Sequence, residues 1–126
     1  MVTGTNSRFV LTAEEHFNRL QWAPGVTITG EDVRAFGEAV EAVSSEGVRP
    51  LLVHLNSVRR ITPAARQLIV RDTCSTRTAI LGEDPVSMVI TAFAYTSRTP
   101  TRFFTDEREA IEWLLEASPA NDPHGA

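Results

Sequence analysis

The sequence predicts an α/β protein built on a mixed, mostly parallel β-sheet, and three observations predict it. Short apolar strand-like runs alternate with segments of helical periodicity. The run RPLLVHL at residues 49–55 has the near-continuous hydrophobicity of a strand covered on both faces. The alternation opens with two successive short strands, which places an N-terminal hairpin on the sheet. The expected order is β-β-α-β-α-β-α-β-α, with about four helices, and strand–helix–strand units of this kind cross over right-handed to give parallel neighbours.

Residues 1–7 are polar and expected to form a flexible N-terminus. Apolar–polar segments at 8–12 and 16–22, separated by Ala13, Glu14 and Glu15, form the hairpin, and Pro24 with Gly25 turns the chain. Residues 29–44 carry the clearest helical pattern. Thr29 and Asp32 fit a capping box, and Glu31 and Asp32 suit the positive end of the helix dipole. Val33, Phe36, Val40 and Val43 then recur at helical spacing, and Gly47 ends the element. In the strand at 49–55, Leu51, Val53 and Leu55 face one side and Leu52 and His54 the other. A helix follows at about 63–72, with Thr62 as N-cap and Pro63 at the tolerated first position. A short strand is expected at 78–81, ended by Gly82. A helix then runs from Asp84 and Pro85 to about Tyr95, and a last strand covers 100–104. Thr105 is expected to cap the final helix, with Asp106 and Glu107 in its first turn and Ile111, Leu114 and Leu115 on its apolar face. Residues 118–126 are a polar, flexible tail, which leaves a single domain over 8–117.

A chain of 126 residues can close one core without disulfides or metals. Its formal charge of −4 argues against a nucleic-acid partner, which requires a basic surface. All 12 basic residues are arginines, the side chain best suited to bidentate contacts with carboxylate or phosphate. Cys74 is the single cysteine, so no intrachain disulfide forms, and no Cys/His set has zinc-ligand spacing. No cofactor or metal site is expected. The first residues lack the basic and apolar regions of a signal peptide, and no apolar run reaches the ~18 residues of a membrane span. The expectation is a cytoplasmic protein without a transmembrane segment.

The stretch HLNSVRRITPAAR, residues 54–66, resembles the signature loop of STAS domains, the SpoIIAA-like fold of anti-sigma-factor antagonists. In that signature a strand ends in Asp-Leu-Ser, and a loop reaches Asp-Ser-Ser-Gly at a helix start. The ending PTRFFTDEREAIEWLL, with the preceding apolar DPVSMVITAFAYTS, resembles a largely uncharacterised bacterial subfamily described as STAS-like or STAS/CRAL-TRIO-like. The resemblance covers about residues 9–116 and implies a SpoIIAA-like fold. Aligned through Leu55 and Val58, His54 stands where the first Asp is usual, Thr62 takes the second Asp position, and Ala64 falls where another serine is common. Pro63 replaces the phosphoacceptor serine and has no hydroxyl, so the usual serine switch cannot operate there. Thr62 retains a hydroxyl before a proline. Phosphorylation and simple helix capping both account for it.

Two surfaces stand out. From Gly47 to Arg71 there are five arginines and no carboxylate. Arg59 and Arg60, with Ser57 and Thr62, lie in the loop that reaches a helix N-terminus, where free N–H groups and the helix dipole favour anions. An anion or an acidic protein partner would suit that loop; solvation, or pairing with acids such as Glu83 or Asp84, is the alternative. The helix expected at 84–95 is apolar on most sides. Val86, Val89, Ile90 and Phe93 form one stripe, and Met88, Ala92 and Tyr95 form a second, surplus to a single core face. That second stripe fits a homodimer interface, an apolar or lipid-like ligand, or cover by the loop that follows. His54 is either an acid/base group or a hydrogen-bonded structural histidine, and no nucleophile is tied to it by motif. Glu38, Glu41, Glu109 and Glu112 read as solvated helix faces, and Cys74 as a structural thiol. The expected function is a non-enzymatic regulatory or protein-interaction domain of the STAS-like type. The alternative is a small carrier of an apolar ligand.

Overall fold

The computed structural model describes residues 2–5, 8–43, 47–55, 58–71, 75–82 and 99–116. The chain opens with β1 (Val2–Thr5), β2 (Phe9–Ala13) and β3 (Asn18–Trp22), then a two-residue strand β4 (Thr27–Ile28) and helix α1 (Gly30–Val43). Strand β5 (Arg49–His54), a second two-residue strand β6 (Arg60–Ile61) and helix α2 (Pro63–Arg71) follow. Strand β7 (Ser75–Leu81), strand β8 (Thr101–Phe104) and helix α3 (Glu107–Leu114) complete the described elements. The main sheet has six strands in the order β1-β2-β3-β5-β7-β8. Its first two pairings are antiparallel and its last three parallel, which is the mixed, mostly parallel sheet the sequence predicts.

Several elements differ from the expectation. Residues 2–5, expected to be flexible, form the edge strand β1 through a local antiparallel pairing with β2, whose backbone bonds polar composition does not reveal. Strand β7 begins at Ser75 rather than at residue 78, because its start pairs with Arg49 across an irregularity in the register. Asp106, not Thr105, is the N-cap of α3, and its Oδ1 accepts from the Arg108 amide at 3.2 Å. Leu115 sits past the end of α3 and stays 42% exposed, so it leaves the apolar face assigned to it. The helix expected at 84–95 lies outside the described residues.

The period-two reading of residues 49–55 holds. Leu51 and Leu55 are buried in a core that α1 and α2 cover, with Phe9, Leu11, Leu20, Trp22, Val33, Phe36 and Val40. Leu52 is wholly buried on the opposite face, in a second core with Phe17, Ala79, Leu81, Ala110 and Leu114, under α3. Each face of β5 therefore needs apolar residues, and full burial of one such side chain is worth roughly 1.5–3 kcal/mol. Trp22 anchors the larger core with edge-on contacts to Phe9 at 5.3 Å and Phe36 at 5.9 Å. Pro24 and Gly25 make the turn after β3, and the φ of 75° at Gly25 lies in the left-handed region where a side chain would be strained.

The capping box on α1 forms and extends beyond the helix. The Thr29 amide donates to Asp32 Oδ2 at 2.8 Å, and the Asp32 amide donates to Thr29 Oγ1 at 3.2 Å. Arg8 then clamps the same carboxylate, with Nε 2.6 Å from Oδ1 and Nη2 3.0 Å from Oδ2, tying the start of β2 to the start of α1. Burial alone would raise the Asp32 carboxyl. The hydrogen bonds from Arg8 and Thr29, with the charge of Arg8, hold it below its ordinary value.

Candidate functional site

The segment after β5 is built by the alternation of its side chains and by backbone bonds to the β3–α1 connection. Leu55 is buried, and its amide donates to the Leu81 carbonyl at 2.9 Å. Val58 and Ile61 are buried in the larger core, while Arg59 and Arg60 between them are exposed. The Arg59 amide donates to the Val26 carbonyl at 2.8 Å, and β6 pairs in parallel with β4. The Thr62 amide then donates to the Ile28 carbonyl at 3.0 Å. Two apolar anchors and a short parallel ladder thus fix the backbone that carries the two guanidinium groups. Neither two-residue strand carries enough local pattern to be read from sequence, because the pairing exists only once both connections lie over the same core.

Thr62 takes the role its position predicts. Its Oγ1 accepts from the Ala65 amide at 3.2 Å, and its carbonyl accepts from the Arg66 amide at 2.9 Å. Arg66 Nε also bonds back to the Ile61 carbonyl at 3.0 Å, locking the loop-to-helix corner. No carboxylate stands in the first turn of α2. Among the described residues, neither Arg59 nor Arg60 has a side-chain hydrogen bond or an ion pair. The result is an exposed cationic corner at a helix N-terminus, whose dipole favours negative charge. Ser57, expected in the same loop, lies outside the described residues, as do Glu83 and Asp84, Cys74, and the stripe of Met88, Ala92 and Tyr95.

A second polar group, on the opposite face of the sheet, brings together residues the sequence does not link. His54 is buried at the end of β5, and its Nε2 lies 2.8 Å from Arg19 Nη1. Arg19 also donates from Nε to Glu14 at 2.9 Å and from Nη1 to Glu107 at 3.2 Å. Burial pushes His54 below its ordinary value and the Arg19 charge adds to this, while Glu107 opposes it. No spacing rule joins residues 19, 54 and 107; only the parallel pairing of β3 with β5 and the seat of α3 do so. Among the described residues, no group of three or more His, Cys, Asp and Glu side chains could hold a metal ion. A groove of about 310 Å³ between α1 and α2 is lined by Val33, Gly37 and Leu68 together with Arg34, Glu38, Glu41 and Arg71. Among the described residues, no helix is long and apolar enough to cross a membrane.

The sheet order, the helices on both faces and the strand–loop–helix corner define a SpoIIAA-like α/β domain, the fold of STAS domains. A solved structure from Shewanella loihica PV-4, described as an uncharacterized protein from the DUF3478 family with a SpoIIAA-like fold, shares it. That structure aligns with a TM-score of 0.59 at 17% identity, over 89% of this chain and 100% of that one. The chain belongs to the family described as Domain of unknown function (DUF7793), whose model matches residues 14–118. A crystal structure of a protein with unknown function from Arthrobacter sp. FB24 is 31% identical, over 85% of this chain and 99% of that one, with a TM-score of 0.34. No curated protein matches the chain.

Proposed function

We propose that this protein is a regulatory interaction domain that works by binding rather than by turnover, with the corner between β6 and α2 as its contact surface. One observation carries the reading: Arg59 and Arg60 are exposed on a backbone fixed by Val58, Ile61 and the β4–β6 ladder, without an acid partner among the described residues. A rigid cationic corner binds an acidic surface at lower entropic cost than a mobile one. Arginine adds bidentate geometry to the charge. Pro63 removes the usual phosphoacceptor, so binding at this corner is constitutive in this reading. The surplus apolar stripe of Met88, Ala92 and Tyr95 favours a homodimer.

The test is a titration of the protein with a glutamate-rich peptide and, separately, with inorganic phosphate, followed by amide NMR shifts. The amides of Thr62, Ala64 and Ala65 should shift and saturate, and an Arg59→Ser/Arg60→Ser double variant should lose the response. A double variant that responds like the parent would sink the proposal. Light scattering on the same samples reads the dimer; a monomer at high concentration removes that part of the reading.

A further inference from the structure

On the α3 face of the sheet, four side chains from four parts of the chain form one polar string: Glu14, Arg19, His54 and Glu107. Arg19 is its hub, and its guanidinium carbon also stands 5.4 Å from the centre of the Phe17 ring. A guanidinium only donates hydrogen bonds, so His54 Nε2 accepts, and the ring is the neutral form with its proton on Nδ1. The burial of the members differs along the string. His54 keeps 8% of its surface. The side chain of Arg19 keeps 19% and that of Glu107 keeps 49%. Arg19 therefore bridges a buried imidazole to a surface carboxylate in the first turn of α3. The lower half of α3 is held differently, by Ala110 and Leu114 in the apolar core with Leu52, Ala79 and Leu81.

Among the described residues, the charged groups around His54 are few. Arg19 comes from β3, Glu14 reaches the string through Arg19, and Glu107 comes from α3. In β7 the residues paired with the end of β5 are Ala79, Ile80 and Leu81, all apolar. On β5 itself, Arg49 is engaged elsewhere, by the Glu14 carbonyl and by Asn18 Oδ1 at 3.2 Å. Asp106 is occupied by the Arg108 amide, and Arg108 pairs with Glu112 at 3.4 Å.

We propose that Glu14, Arg19, His54 and Glu107 form an acid-sensitive clasp that fixes the first turn of α3 to the sheet and releases it when His54 takes up a proton. Protonation occupies the Nε2 lone pair that accepts from Arg19, and it sets two cations 2.8 Å apart in a site with little water. Arg19 has a second anchor in Glu14, toward which it withdraws, and Glu107 then loses its link to the sheet. Among the described residues no hydrogen bond joins His54 to Glu107 directly, so no such contact is in place to take over that link.

Hydrogen exchange at single amides of the wild-type protein, corrected for the intrinsic pH dependence of exchange, tests this. Protection of the Ala110 amide, which bonds to the Asp106 carbonyl at 3.1 Å, should fall about tenfold from about pH 7.5 to about pH 5. The Leu115 amide, bonded to Ile111 at 3.0 Å beyond the clasp, should change less than about twofold. His54→Gln keeps an acceptor for Arg19 and cannot take the proton, so its Ala110 profile should be flat. A flat wild-type profile, or the same fall in His54→Gln, overturns the proposal. The His54 ring titration in the wild type decides it without any variant. Its midpoint should coincide with that of Ala110 protection and lie below 6.5; a midpoint at or above 6.5, or one that does not coincide, overturns it.

Discussion

The starts of α1 and α2 lie side by side, with Gly30 against Ala64 and Leu68, yet they end their helices in opposite electrostatic ways. The α1 start carries Glu31 and Asp32 in its first turn, and Asp32 is closed off by Thr29 and Arg8. The α2 start carries no acid, only the hydroxyl of Thr62, and two exposed arginines precede it. The first helix meets its dipole with its own carboxylate, and that carboxylate is used up by an internal arginine. The second satisfies one amide and leaves its positive end, reinforced by Arg59 and Arg60, facing outward. The difference separates a corner closed by its own charges from a corner left open to solvent, on one core and with one kind of cap.

Breaking the internal corner should have the largest effect. Asp32→Ala removes the acceptor for the Thr29 amide and leaves Arg8 without its carboxylate, and should cost about 1–2 kcal/mol in a denaturant titration. A loss under about 0.5 kcal/mol would show that the two corners are energetically alike. The same contact sets an acid limit. The folded Asp32 carboxyl lies below its ordinary value of 3.8, so its contribution is full above 3.8 and is lost as pH falls through the folded value. His54 acts in a higher window. Its folded value lies below 6.5, so the unfolded chain takes up the proton first, and stability declines as pH falls from 6.5 toward the folded value. A stability profile that rose on acidification between about pH 6.5 and pH 5 would contradict that sign.

Thr62→Ala should be milder, about 1 kcal/mol, since one amide of α2 loses its acceptor while Val58, Ile61 and the β4–β6 ladder stay in place. The smallest effect on stability is expected for Arg59→Ser/Arg60→Ser, within about 0.5 kcal/mol, because neither side chain is buried. A large loss there would make the arginines structural and erase the contrast between the corners.

Much of this was legible in the chain. The capping box at Thr29 and Asp32, the period-two run at residues 49–55 and the cap at Thr62 are local patterns, and each predicts the contact it makes. The arginine pair was legible as a candidate for the same reason, since its place before a helix start is a matter of adjacent residues. The two short strands β4 and β6 were not, because two residues have no period. Neither was the cap at Asp106, where Thr105 and Asp106 are both good capping residues and only backbone geometry selects between them.

The sequence by itself determined the alternation of the main strands and helices, where the first two helices begin and most of the side chains that must be buried, because those follow from periodicity and capping chemistry within a few residues. Tertiary structure alone decided what the charged residues do. Arg8 and Arg19 look alike in the chain, yet one clamps a carboxylate on the α1 side of the sheet and the other donates to a neutral histidine on the α3 side. Arg59 and Arg60, a few residues past that histidine, meet no acid among the described residues. The partners stand 24 and 35 residues away, and only the sheet order brings them within hydrogen-bonding distance.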